Sequence, residues 1–380
     1  MELELPYGRT PLRLTGDARL IDVLRAPAMP ASRGVDVLVA DALASPIGSL
    51  PVSALARSGG RVTLILSDST RAEPRAAFVS AIRNELPDVR WTIAIATGTH
   101  GPSALDALGI PPDLLRDATI INHDGHSDRD LVELGVTSRG TPVRVHRCVV
   151  ETDLVIATGC IRPHYFAGFG AGVKAIFPGL GQAAAIRINH QLKTAPGARA
   201  GIVVGNPCRD DLAEAVSLVT TPTFLLNGVC GPDGSVHAAV AGDRIAAFAH
   251  GVEIARPWFT VRARPAPLVI ASDALPISAT LYQAAKIAAA AAPLVEPNGE
   301  LVVVAECADG IGPLDVVNEA ILRIGVLPRL AHGARLSLVS ALPRQLVEQT
   351  LIRYADAIPA IDQRALVIPQ ASQLICEATS

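Results

Sequence analysis

Short unbroken runs of Val, Ile and Leu recur along this chain, separated by longer amphipathic stretches. RVTLILSD (61–68), WTIAIATG (91–98), TIINHD (119–124), DLVIATG (153–159), GIVVGN (201–206), PLVIAS (267–272), LVVVAE (301–306) and RLSLVSA (335–341) are apolar at consecutive positions rather than alternate ones. Such runs mark strands buried on both faces. Segments such as PRAAFVSAIRNEL (74–86) lie between them and read as crossover helices. The pattern therefore predicts βαβ units and an α/β protein with mainly parallel sheets.

At 380 residues the chain is long for one core, so two domains are expected. The prolines of ARPWFTVRARPAP (255–267) bracket an irregular basic stretch. The boundary is placed there, giving an N-terminal α/β domain over 1–262 and a C-terminal α/β domain over 263–380. In sheets of this kind ligands collect beyond the carboxyl ends of the strands. Polar clusters fall there: SDSTR after one strand, GTH after the next, HDGH after a third and GCIRPH after a fourth.

Composition narrows the function classes. A net charge of −3 offers no basic field for nucleic acid. No run of about 18 apolar residues exists to span a membrane, and the opening MELELPYGRT lacks the charge and apolar segment of a secretory signal. The six cysteines (148, 160, 208, 230, 307 and 376) form no CxxC pair. A cytoplasmic protein with reduced thiols is expected, with no cysteine-based zinc site.

Several clusters carry candidate chemistry, and each has a structural reading beside it. SDSTRAEP (67–74) puts Asp68 and Arg71 where a helix opens; it suits an anion, or simply caps the helix. His100 ends a buried strand in ATGTHGPS (96–103), a place where a structural histidine is the commoner case. NHDGHSD (122–128) has metal-like spacing but reads better as an Asx turn. RPHYFAGFGAGVK (162–174) mixes glycines, aromatic rings, His164 and Lys174, and matches GxGxxG only loosely. LYQAAKIAAA (281–290) is a helix with Gln283 and Lys286 on one face. AECADGIGPLD (305–315) is a strand followed by a turn at Asp309 and Gly310.

Taken together, SDSTR, ATGTH, RPHYFAGFGAGVKAIFPG, the histidine of RINHQ, YQAAK, LPYG (5–8) and ECADGIG (306–312) resemble the lactate racemase family of nickel-pincer 2-hydroxyacid racemases and epimerases. The resemblance runs in family order from about residue 3 to 312. It implies an active-site cleft between the two domains and a nickel-bearing pyridinium dithio-acid mononucleotide covalently attached through Lys174. His190 corresponds to the nickel ligand. Asp68, Arg71, Gly170 and Gly172 correspond to the cofactor's surroundings, and His100 and His164 to the acid/base pair. Arg71, Gln283 and Lys286 correspond to substrate-binding groups. Enzymes that make and deliver the nickel cofactor are implied partners. One departure is Ala171, where the family commonly carries glycine. Another is SALPRQLVEQ (340–349), which offers no aromatic ring to cover a small substrate, so larger 2-hydroxy acids and sugar acids enter the range.

The expected reaction is racemisation or epimerisation of a 2-hydroxy acid by reversible hydride transfer through a keto acid. Removing hydride while a base takes the hydroxyl proton avoids placing a second negative charge beside the carboxylate. Two rivals are an anion-binding family member without activity and an NAD-dependent 2-hydroxyacid dehydrogenase. The second needs a strand-to-helix glycine motif with an acidic residue about 20 positions on, and none is found.

Overall fold

The structure is a computed structural model and describes residues 1–231 and 233–380. The chain folds as two compact units, one formed by 29–257 and the other by 1–28 together with 258–380.

The 29–257 unit is built on a six-stranded sheet. Its spatial order is Val236–Asp243, Thr223–Cys230, Leu154–Ile161, Arg61–Ser67, Arg90–Ala96 and Ala118–Asn122. Only the first of these pairings is antiparallel. Side-chain alternation explains the unbroken apolar runs. Leu64 and Leu66 pack on one face with Phe78, Ile82, Ile93 and Ile156. Ile65 points to the other face, with Ala94, Val155, Phe177 and Leu212. Both faces are covered by helices and loops, so all five residues from Val62 to Leu66 are buried. Four of the expected polar clusters follow four neighbouring parallel strands of this sheet, and so emerge along one edge of it.

The second unit repeats the plan with six parallel strands, ordered Arg353–Tyr354, Arg335–Val339, Val295–Val304, Ala266–Ser272, Ala365–Ile368 and Ile21–Val23. Val269, Ala271, Leu301 and Val303 face one core, and Leu268, Ile270, Val302 and Val304 the other.

Three expectations are corrected. GIVVGN (201–206) is a series of turns, not a strand. Gly201 and Gly205 take φ of +82° and +72°, and Val204 is 92% exposed. The stretch 255–267 is ordered: the helix Ala246–Phe259 runs through Pro257, and Thr260–Ala263 then pairs in parallel with Ile375–Ala378. Cys160 and Cys230, on adjacent strands with Cα atoms 5.8 Å apart, form a disulfide, so these two thiols are not in the reduced state expected. The division between units falls at 257/258, beside the expected 262/263. Residues 1–28, however, pack with the C-terminal unit, because Ile21–Val23 pairs with Ala365–Ile368. Among the described residues no helix is long and apolar enough to cross a membrane.

Candidate active site

The loop after Arg61–Ser67 is held from beneath by two buried charged residues. Glu73 accepts hydrogen bonds from Ser67 N at 2.6 Å and from the Thr158 hydroxyl. Arg75 donates to the carbonyls of Ser67 (2.8 Å), Asp68 and Arg71 (2.7 Å). Burial pushes the Glu73 carboxyl up; its hydrogen bonds and Arg75 only partly oppose this. With its backbone pinned at both ends, the loop presents Asp68 as the start of an Asx turn, accepting from Thr70 N at 2.9 Å.

Asp68 Oδ2 meets His100 Nδ1 at 2.7 Å. The aspartate side chain is 3% exposed and the histidine ring 45% exposed. Burial alone would raise the Asp68 carboxyl, but hydrogen bonds from His100 and Thr70 and the charge of Arg71 outweigh it and hold it below its ordinary value. Since an ionised carboxylate only accepts, Nδ1 of His100 donates this hydrogen bond, which in the neutral ring leaves the lone pair on Nε2.

His164 lies in the short Pro163–His164 strand, paired with Gly168–Phe169. Its Nδ1 accepts from Ala167 N at 3.2 Å, which puts the proton of the neutral ring on Nε2. Phe166 is the centre of the cluster. Its ring lies 4.5 Å from the His164 ring, 4.7 Å from Tyr165, 5.0 Å from His190 and 5.6 Å from Lys174 Nζ, measured to ring centroids. Three residues spread over 27 positions of sequence thus meet around one phenyl group. Phe166 is held in turn by Asn206, which is fully buried, caps the helix Pro207–Ser217 and donates to Phe166 O at 2.8 Å.

Lys174 sits on a single 3-10 turn, Gly172–Ala175, and His190 near the end of the helix Ala183–Gln191. Lys174 as a whole is half-buried, and its amine is closely surrounded by protein. That burial, with the charges of Arg209 and Arg71 nearby, lowers it to about 7. Burial and the positive Lys174 and Lys193 lower His190 to about 3, so its imidazole is neutral at ordinary pH.

The glycines differ in what they do. Gly172 has φ of +64°, and a Cβ there would come within 2.6 Å of the Phe248 ring and 2.9 Å of the Arg209 guanidinium. Only glycine fits. Gly170 meets no such crowding. Between them Ala171 adopts φ +62° and ψ −159°, a region that disfavours side chains. The neighbourhood fixes it there: Gly172 N donates to Asn227 Oδ1 at 2.9 Å, and Arg209 reaches the carbonyls of Phe169 and Ala171 at 3.3 and 3.5 Å.

The 29–257 unit therefore gathers Asp68 with His100, and His164 with Lys174 and His190; Arg71 acts electrostatically on both Asp68 and Lys174. Gln283 and Lys286 belong to the other unit, on the helix Leu281–Ala291, where Lys286 Nζ donates to Gln283 Oε1. NHDGHSD is a turn, with Asp124 Oδ1 accepting from His126 N at 3.0 Å. Sequence reasoning missed Asn206, Arg209 and Phe248. Only the first left a local trace, the Asn-Pro pair that opens a helix.

A family model described as the lactate racemase N-terminal domain matches residues 7–201. The lactate racemase of Thermoanaerobacterium thermosaccharolyticum is 30% identical over 346 residues, covering 84% of this chain and 81% of that protein. The lactate racemase of Lactiplantibacillus plantarum is 30% identical over 283 residues, covering 72% of this chain and 66% of that one. The lactate racemase apoprotein structure from T. thermosaccharolyticum superposes with a TM-score of 0.84 at 26% identity, over 99% of this chain and 100% of that one. A protein from Thermotoga maritima shares the fold, with a TM-score of 0.69 at 16% identity over 93% of this chain and 100% of that one. Motif order, two-unit architecture and these likenesses agree: the chain belongs to the lactate racemase family and is an isomerase of the racemase kind.

Proposed function

We propose that the protein inverts the hydroxyl-bearing carbon of a 2-hydroxy acid, lactate or a larger relative, with a nickel-pincer nucleotide tethered through Lys174. The observation that carries this reading is the Phe166 cluster, which brings an acid/base candidate, an attachment lysine and a metal-ligand candidate around one ring.

The residues fit such a group by their own chemistry. An amine lowered to about 7 is substantially unprotonated at neutral pH and can act as a nucleophile. A neutral imidazole at His190 has a lone pair for a metal, and soft sulfur with imidazole suits nickel. His190 would give the metal one ligand, and a pincer would bring the others with it. Gly172 lets the turn that carries Lys174 pack directly against the Phe248 ring and the Arg209 guanidinium, which fixes where the lysine starts. When bound, the cofactor would supply a reversible acceptor for the C2 hydrogen and its electron pair.

The chain's own residues then manage charge and protons. His100, oriented by Asp68, has its Nε2 lone pair ready to take the substrate hydroxyl proton, and His164, when its ring is protonated, returns a proton from Nε2–H to the oxygen in the opposite orientation. Arg71 holds the carboxylate while the planar keto acid turns over, and the Phe166 and Tyr165 rings limit water.

The test is to make the protein alongside enzymes that build the cofactor, and to offer single enantiomers of lactate and of larger 2-hydroxy acids. Loss of optical purity with nickel bound in the preparation supports the reading. A nickel-loaded, Lys174-modified protein that leaves every enantiomer unchanged sinks it.

A further inference from the structure

The NHDGHSD turn lies outside the Phe166 cluster, yet it touches three of the segments that feed the site. His123 is 1% exposed, and its Nε2–H donates to Gly181 O at 2.9 Å. Its carbonyl accepts from the Thr97 hydroxyl at 2.7 Å. Two residues on, Gly125 O accepts from Ala183 N at 2.7 Å. A Cβ on Gly125 would collide with Gly98 O and lie 2.9 Å from Gly181 O, so the turn is pressed between two backbones. Those backbones also join each other, Gly98 N donating to Gly179 O at 2.9 Å.

Each partner leads to a site residue. Thr97 and Gly98 form the turn that ends at His100, whose N–H donates to Thr97 O at 2.9 Å. Gly179 and Gly181 close the segment that starts at Lys174, with Gly179 N donating to Lys174 O at 2.9 Å. Ala183 is the first residue of the helix that carries His190. Packing alone would favour an apolar side chain here, since a buried imidazole costs free energy unless it is hydrogen-bonded. The imidazole spends its bond on this junction.

We propose that His123 is a positioning residue: by holding Gly181 O with its ring and Thr97 with its backbone, it fixes the spacing of His100 relative to Lys174 and His190. The proposal rests on the racemase reading of those three residues. It predicts an effect on turnover rather than on affinity, because misplacing a reacting group by about 1 Å costs on the order of a hundredfold in rate.

The experiment compares His123→Leu, which fills similar space without a donor, with His123→Gln, whose amide can donate to the same carbonyl. Amide hydrogen exchange is followed over residues 97–100 and 177–183, and kcat and KM are measured on cofactor-loaded protein. His123→Leu is expected to accelerate exchange in those two segments by about tenfold or more, with the Leu154–Ile161 strand unchanged. Its kcat should fall by about tenfold or more at nearly constant KM, and His123→Gln should recover most of both. If His123→Leu does not fold, His123→Asn takes its place, because its amide is too short to reach Gly181 O and so removes the same bond. Unchanged exchange and kcat, acceleration spread over the whole protein, or a glutamine variant as impaired as leucine would each overturn the proposal. If wild-type protein racemises nothing, the functional reading fails, while the exchange comparison still decides whether the clamp exists.

Discussion

His100 and Asp68, 32 positions apart in sequence, are joined by a 2.7 Å contact in which the carboxylate is the buried partner and the imidazole the half-exposed one. That asymmetry fits a ring held from behind and presented outward. Asp68→Asn should leave the fold intact and lower kcat by about tenfold or more at similar KM, because the tautomer and ring orientation are no longer imposed. Steady-state kinetics in both directions check it. Enantiomers have equal free energies, so kcat/KM must fall equally for both in any variant; a kcat that stays at the wild-type value in both directions would count against this role for Asp68.

The same contact has a pH signature. The folded-state pKa of Asp68 lies below its unfolded value, so its stabilisation is present above about pH 4 and is lost as pH falls through the folded value. Acid titration of thermal stability should show Asp68→Asn losing its disadvantage in that window. A difference from wild type that persists undiminished at lower pH counts against the assigned shift.

Lys174 should be the most reactive lysine of the apoprotein at neutral pH. Its amine is lowered to about 7, against about 10.4 for an unperturbed lysine. Limited acylation across a pH series, read by peptide mass, should give half-maximal labelling near neutrality. Lys174→Arg should abolish the cofactor adduct in intact mass. An adduct that survives there would move the attachment point.

Ala171→Gly should stabilise the protein by about 1 kcal/mol, since the φ +62°, ψ −159° conformation is close to a glycine-only region. Denaturant unfolding measures it. The gain is available because Arg209 and Asn227 hold the neighbouring backbone in place whichever residue occupies 171.

Glu73→Ala should cost about 3 kcal/mol or more, as it strands Ser67 N–H, the Thr158 hydroxyl and Arg75 in the interior. Glu73→Gln should cost less, and its standing relative to wild type should improve as pH rises. The reason is the raised folded-state pKa of Glu73: the wild-type contribution is fullest below the unfolded value and declines as pH rises toward the folded one. Unfolding curves at several pH values test both statements.

What the sequence disclosed follows from how local each signal is. Apolar runs such as RVTLILSD report burial on both faces directly, because each residue's neighbours along the strand carry the pattern. GIVVGN has the same composition, but its two glycines take left-handed conformations that composition does not reveal. The three-residue strand Ile21–Val23 is too short to announce itself, and its partner lies more than 340 residues on. At the site, His164 and Lys174 stood out because rings and glycines crowd beside them. Arg209, Phe248 and His123 act through contacts made only after folding: Arg209 stacks 3.9 Å from the Phe248 ring, and His123 reaches Gly181 from 58 positions away.

The pairing of Ile21–Val23 with Ala365–Ile368 sets an order of events on the ribosome. Everything the 29–257 unit requires has been synthesised before the last third of the chain emerges, so it can complete its core first. The opening segment must meanwhile wait, an unpaired edge, until residues 365–368 emerge to pair with it. Nascent chains truncated before residue 365 should therefore carry a protease-resistant middle and a digestible beginning.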